Sequence, residues 1–426
     1  MAQPMAGMLS LINPAVHDAA AMRRAGPDLL SLALMDARSR TLGWLSAFEG
    51  LHWPEPIAGF DPPIWRAGQA GWFQEYWIAR HVQRDRGDAA DAAAPRLASM
   101  HPQSDAWFSP LASRRRSRWA MDLPDADGLR QYLADTLDAT LDLLARLAQA
   151  PALGEGGAGD DTALHVFRLA LHHEDRLAES LATQAQAFDL SPERWAPLVA
   201  AGLWHEPASR LRREPLRLGA QTLMLGTPPG GWVPPAERFA HEVWVDEFEI
   251  DAQPVSWAQF TEFVADGGYD DRQHWTDAGW AWLLDSHRRA PRYVQQLGRG
   301  VLARRQGRLV RLAGPQSVLH VNAHEARAWC RWAGRRLPTE AEWELAARHA
   351  GARGFAWGEQ LEWVTDRAQA YPGAAAATPD ADLNVADRVL RGASQQASGR
   401  LRHPAARRFV SALRDDLFCG LRSCAL

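Results

Sequence analysis

The 426-residue chain contains no lysine, so all 47 of its basic side chains are arginine, which we read as codon usage and not as function. It has only three cysteines, Cys330, Cys419 and Cys424. That number excludes a disulfide framework, and the odd count leaves at least one free thiol. No uninterrupted apolar run approaches the roughly 20 residues of a membrane-spanning helix. The opening stretch places Arg23 and Arg24 after its apolar part and interrupts that part with Pro14 and Asp18, the reverse of a secretory leader. A cytoplasmic protein without membrane attachment is the expectation. A net charge of −4 provides no strong field for nucleic acid.

What is present is a globular composition, 46% apolar and 23% charged, in a chain long enough for two or three domains. After an N-terminal extension (1–25), helical spacing predicts helices over 26–49, 64–84 and 125–150, the last from Leu129, Leu133, Leu137, Leu141 and Leu144. A Pro-rich connector (54–63) and a Gly-rich loop (154–161) separate them. A fourth helix over 164–186 carries Leu164, Phe167, Leu171, Leu177 and Leu181. Four such helices predict a helical bundle for 26–205. From about residue 206 the pattern changes to short β-rich runs broken by Gly and Pro, with Val243, Val245, Phe248 and Ile250 as core candidates and helices interspersed. Residues 206–426 are therefore expected to form an α+β domain.

The fourth helix reads HHEDRLAE over 172–179, in which His173, Glu174 and Glu179 stand as in a His-Glu-x-x-His-x-Glu metal helix. Residues four apart share a helix face, a spacing that lets two imidazoles reach one ion. The residue four on from His173 is Leu177, which has no donor atom.

Several stretches of the second half, above all RRLPTEAEWE (335–344), with AHEVWVDEFEIDAQPVSW, VLRGAS and GLR, resemble the domain shared by formylglycine-generating enzymes and ergothioneine sulfoxide synthases. PPIWRAGQAGWFQEYWIAR (62–80) and HHEDRLAES (172–180) look like the DinB-like four-helix bundle that EgtB-type enzymes join to such a domain. GGYDDRQHWTDAGWAWL (267–283) and RDDLFCGLRSCAL (414–426) resemble most the selenoneine synthase (SenA) branch. The resemblance implies a DinB-like bundle followed by a C-type-lectin-like α+β domain. It further implies iron(II) held by three histidines, and an O₂-dependent reaction joining N-α-trimethylhistidine to a thiol or selenol.

Carried over residue by residue, the family's three histidines fall on Gln69, His173 and Leu177. An amide oxygen is a weak ligand for iron(II) and a leucine is none. His172 lies about 100° round the helix from His173, and Glu75 and His81 are six and twelve residues beyond Gln69, so neighbours do not rebuild the set on one face. Iron is therefore expected to be weakly held or absent. Glu362, Trp363, Arg116 and His324 are candidates for a substrate pocket, with ordinary core structure as the alternative for Glu362 and Trp363. Tyr371 and Tyr293 are candidates for a tyrosine that matters in the ergothioneine branch. Cys419 and Cys424 have the five-residue spacing of the formylglycine enzymes' active pair. They flank Gly420-Leu421-Arg422 instead of preceding it, and an odd offset on a strand sends the two side chains to opposite faces. Three readings stay open. One is a divergent paralogue with a dismantled iron site, binding a betaine or amino-acid-like ligand or acting as a partner subunit. The others are a working synthase with relocated metal ligands, and a metal-free reaction in the inherited pocket.

Overall fold

The computed structural model describes residues 13–52, 55–112, 114–149, 158–298, 300–373 and 386–426, without the side chains of 116 and 158–160. It separates into two compact units. The first runs to His205 and also takes in Gly230–Trp232 and Gln396–Leu401, two short pieces of the later chain that no periodicity marks.

The first unit is helical. Its long elements are α1 (Pro27–Ser46), α2 (Pro63–Gln74), α4 (Ala126–Ala148) and α5 (Ala158–Ala187), with the short α3 (Ser104–Phe108) and α6 (Pro192–Ala200) between and after them. Proline at the first turn of α1 and α2 presets φ where no intrahelical donor is needed. The Asp125 side chain caps α4 by accepting from the Gly128 backbone N–H at 2.8 Å. α1, α2, α4 and α5 pack pairwise around Leu30, Ala33, Leu34, Leu144, Leu164, Phe167 and Leu171. Each large apolar side chain buried there is worth about 1.5–3 kcal/mol.

Two sequence expectations need correction. α5 already begins at Ala158, so the last four residues of the expected 154–161 loop are helical, while 154–157 lie outside the described residues. Acidic Asp161 in its first turn suits the positive end of a helix and pairs with Arg168 at 2.7 Å. The expected helix over 64–84 stops being α-helical at Gln74 and continues as one π-helical turn, Glu75–Ala79. There the buried Glu75 carboxylate accepts from Tyr132 Oη (2.6 Å), Ser99 Oγ (2.6 Å) and the Met100 backbone N–H (2.6 Å). Local pattern does not foresee a wider turn held by such tertiary bonds.

The second unit is a mixed α+β domain. Its strands are β1 (Leu216–Leu218), β2 (Gln221–Leu225), β3 (His241–Val245), β4 (Phe248–Ile250), β5 (Val294–Gln296), β6 (Val301–Arg305), β7 (Arg308–Leu312), β8 (Leu361–Trp363), β9 (Arg388–Gly392), β10 (Arg407–Val410) and β11 (Cys419–Gly420). Its helices are α7 (Trp257–Ala265), α8 (Asp277–Ser286), α9 (Ala323–Trp332) and α10 (Glu340–His349). The largest sheet has the order β10-β9-β8-β11, antiparallel except for the β8–β11 pair. Of the core candidates, Val245, Phe248 and Ile250 are buried and Val243 is half-buried. RRLPTEAEWE forms the start of α10 with a reciprocal cap: Thr339 Oγ accepts from the Glu342 N–H, and Glu342 accepts from the Thr339 N–H at 2.7 Å.

Candidate functional site

α2 and α5 run antiparallel, and two contacts fix their register. Phe73 stacks on His173 with ring centroids 3.9 Å apart, and Gln184 Nε2 donates to the Asp61 carbonyl at 3.1 Å. Stepping four residues, about 6 Å, from Phe73 back to Gln69 and from His173 on to Leu177 sets Gln69 opposite Leu177. Arg66, Gln69 and Phe73 share one face of α2; His173, Leu177 and Gln184 share the facing side of α5. Helix geometry thus puts the three positions singled out in the sequence on these two facing sides.

Their chemistry is uneven. His173 is half-buried, but its Nε2 is enclosed and has no hydrogen-bond partner. Burial, with Arg66 and Arg176 adding charge of the same sign, pushes its imidazole down to about 3, so it is neutral at pH 7. Gln69 is buried and its amide nitrogen donates to the Phe108 carbonyl at 2.8 Å. Leu177 is buried and apolar. As a donor set this row holds one imidazole, one amide already engaged through its nitrogen, and a hydrocarbon.

The acidic neighbours of His173 are committed elsewhere. Glu174 is fully buried and accepts from Arg38 Nε at 2.7 Å and Gln74 Nε2 at 2.8 Å. Asp175 accepts from Arg400 Nε and Nη2, each at 2.7 Å, and Nη1 of the same guanidinium donates to Asp36 at 2.8 Å. Sequence reasoning missed Arg400 because it lies 225 positions from its partner. Among the described residues, no group of three or more His, Cys, Asp or Glu side chains is arranged to hold a metal ion.

At the N-terminal end of α2, Asp61 is fully buried among arginines. It accepts from Arg66 and from Arg118 Nη1 (2.8 Å), with Arg115 Nε at 3.5 Å. The Arg118 guanidinium lies 3.7 Å above the Trp65 ring. Two of the four arginines between 114 and 118, Arg115 and Arg118, are therefore drawn to Asp61. Arg116 belongs to that run, and its side chain lies outside the described residues.

The remaining candidates sit in the second unit. Glu362 is fully buried, paired with Arg422 and accepting from Trp343 Nε1 at 2.8 Å. Trp363 is fully buried and donates to the Val321 carbonyl at 2.8 Å. Both occupy the core, the structural one of their two readings. His324 is buried near the start of α9, stacked on Trp282 at 6.1 Å with no partner on Nδ1, and burial followed by Arg327 lowers its pKa. Tyr371 is held against Arg407, whose guanidinium lies 3.8 Å from the ring, and burial raises its phenol to about 12. Tyr293 adopts a left-handed backbone (φ 68°) and meets His320 edge-on at 4.8 Å. Cys419 and Cys424 are buried free thiols in different hydrophobic clusters, and burial pushes both up.

This second unit carries the sulfatase-modifying factor enzyme 1-like domain, which matches residues 218–385. The wider match covers both units. The chain is 29% identical over 372 residues to the hercynine oxygenase of Mycolicibacterium thermoresistibile, covering 85% of this chain and 73% of that one. It is 31% identical over 310 residues to the hercynine oxygenase of Mycolicibacterium smegmatis, covering 70% and 64%. Its likeness to the formylglycine-generating enzyme of Streptomyces coelicolor is 36% over 183 residues, covering 39% and 58%. The fold and the matched domain define a helical region joined to a formylglycine-generating-enzyme-like domain. Over most of its length the chain is thus similar to EgtB-type hercynine oxygenases.

No helix among the described residues is long and apolar enough to cross a membrane.

Proposed function

We propose that this is an EgtB-type protein whose iron chemistry has been lost and which binds a small ligand of the histidine-betaine or amino-acid class. What supports this reading is that the buried Gln69 and Leu177 stand at two of the three positions where the family has histidine. The donor set does not fit iron(II): three ligands on one face are needed to hold the ion while leaving positions open for substrate and O₂. A buried leucine in that row costs the site a ligand that no neighbour supplies. Glu174 and Asp175, the nearest carboxylates in sequence, are consumed by Arg38 and Arg400.

The ligand class follows from the relatives' name, since hercynine is the trimethyl betaine of histidine. Phe73 and the neutral His173 provide flat faces for an imidazole ring, and the arginines nearby provide counter-charge for a carboxylate. A cytoplasmic location and a role as partner subunit belong to the same reading.

One observation favours the second reading, a working synthase with relocated ligands. His173 Nε2 is enclosed and unpartnered, so it is chemically ready to ligate. Anaerobic reconstitution with iron(II) separates the two. Lost chemistry predicts well under one equivalent bound. About one equivalent, abolished by His173→Ala, would establish the synthase reading instead.

A further inference from the structure

β2 and β3 pair antiparallel in regular register, and among the described residues no strand or bridge takes the other side of β2. In an antiparallel pair the backbone N–H and C=O groups turn alternately toward the partner and away from it, so that side of β2 presents donors and acceptors for a further strand. Open edges are ordinarily guarded by charge, proline or a bulge. β7, the outer strand of the β5-β6-β7 sheet, follows this rule with Arg308 and Arg311 exposed. β2 reads QTLML, with no charge, no proline and no bulge. Its solvent face carries Met224, 42% exposed, and Trp244 stands across from Thr222 on the same face.

Beside this strand runs a groove of about 520 Å³, lined by Thr222, Leu223 and Met224 of β2, by Ala347, Arg348 and His349 of α10, and by Pro404. No lining residue comes from β3, which puts the groove on the open side of β2, and none is acidic. Arg348 donates through Nε and Nη2 to Glu344 and through Nη2 to the Gly226 carbonyl at 2.8 Å. Those bonds hold the guanidinium in place and leave Nη1 uncommitted among the described residues. His349 is exposed next to it. The one acid in the two strands, Glu242, stands opposite Met224 on β3, away from the open side.

We propose that the open edge of β2 is a docking site for an extended segment of a partner protein, which adds as a third strand and sets a carboxylate against Arg348. A strand edge walled by a helical turn supplies main-chain hydrogen bonds for affinity and side-chain contacts for selectivity. An acidic segment suits the groove because its lining holds a fixed guanidinium donor and no carboxylate. A second copy of this chain fits less well, since β2 itself offers no acid. The site gives the partner-subunit role a surface and does not depend on the state of the iron site.

The test is selection of a random eight-residue peptide library on the immobilised full-length chain, followed by fluorescence anisotropy with the selected peptides. The binders are expected to carry Asp or Glu, and replacing that acid by its amide is expected to weaken binding about tenfold, the worth of one charge-assisted contact. Arg348→Gln is expected to erase that difference. Because Arg348 also braces Glu344, Met224→Glu on the solvent face serves as the second variant, expected to weaken every binder at least about tenfold by placing a like charge at the edge. Methylating alternate peptide nitrogens is expected to abolish binding in one register and spare it in the other, as a strand bonded along one side requires. No binder, binders without acidic residues, or binding unmoved by Met224→Glu overturns the proposal. Self-association of the chain alone, seen by sedimentation and abolished by Met224→Glu, also overturns it and assigns the edge to a second copy. Iron(II) uptake is expected to be the same with and without peptide. Stoichiometric iron binding therefore sinks the lost-iron reading and leaves this site standing, and a failed selection does the reverse.

Discussion

The interior around α10 and the α2/α5 face treat buried polar groups in opposite ways. Around α10 the buried carboxylates are closed into an ion-pair network, although Arg391 Nε is left without a partner. Arg391 is fully buried and pairs with Glu344 and with Glu340 at 3.1 Å, and Arg407 pairs with Glu340 at 2.6 Å. Arg422 is locked to Glu362, which also accepts from Trp343. On the α2/α5 face of the first unit, His173 Nε2 is enclosed without a partner and a leucine fills the position where a donor would complete a set. A closed network is what a fold requires of charges it removes from water. On the α2/α5 face one imidazole nitrogen is instead left without such a partner.

Breaking the closed network is expected to have the largest effect. Glu344 accepts from Arg391, from Arg348 at 2.6 Å and from the Gly226 backbone N–H at 3.1 Å, all in a fully buried position. Glu344→Ala leaves Arg391 to share the Glu340 carboxylate with Arg407 and is expected to cost about 3–5 kcal/mol in urea unfolding. A loss below about 1 kcal/mol would show that water reaches the network.

The open face can be completed. The double variant Gln69→His with Leu177→His places three imidazoles on the facing sides of α2 and α5, and iron(II) affinity is expected to rise at least about 100-fold, or roughly 2.7 kcal/mol. Equilibrium dialysis under anaerobic conditions reads this directly. No gain in a folded double variant would mean that the positions do not converge.

A smaller effect comes from protons. His320 is buried, and burial with Arg305 adding like charge pushes its imidazole down to about 3 from the ordinary 6.5. Between those values the unfolded chain takes up a proton that the folded chain does not, so stability is complete above pH 6.5 and falls as pH drops toward 3. His320→Gln is expected to flatten the stability difference between pH 7 and pH 4 by roughly 3 kcal/mol, measured by urea melts at both pH values. At the small end, Trp244 is 63% exposed on β3, and Trp244→Ser is expected to change stability by no more than about 0.5 kcal/mol. That variant calibrates what a surface change costs in the same unit.

Much of the fold was legible because its signals are local. Leu129, Leu133 and Leu144 repeat at helical spacing and all three are buried in α4. Thr339 and Glu342 are three residues apart and form the cap that their types predict. What failed was also physical in origin. The π-helical turn at Glu75–Ala79 depends on Ser99, Ser104 and Tyr132, none of them a sequence neighbour. The Gly-rich stretch before α5 reads as a loop by propensity, yet helix begins within it at Ala158.

The sequence by itself determined the two-part composition, the helical and α+β textures, and the identity of the three side chains Gln69, His173 and Leu177, since donor atoms are a property of residue type. Only the tertiary structure decided which of these groups face one another and which acids are already spent. Arg400 reaches Asp175 across 225 positions, and Glu362 turns inward to Arg422. Such pairings depend on long-range closure of the chain, whose energetics no local pattern encodes.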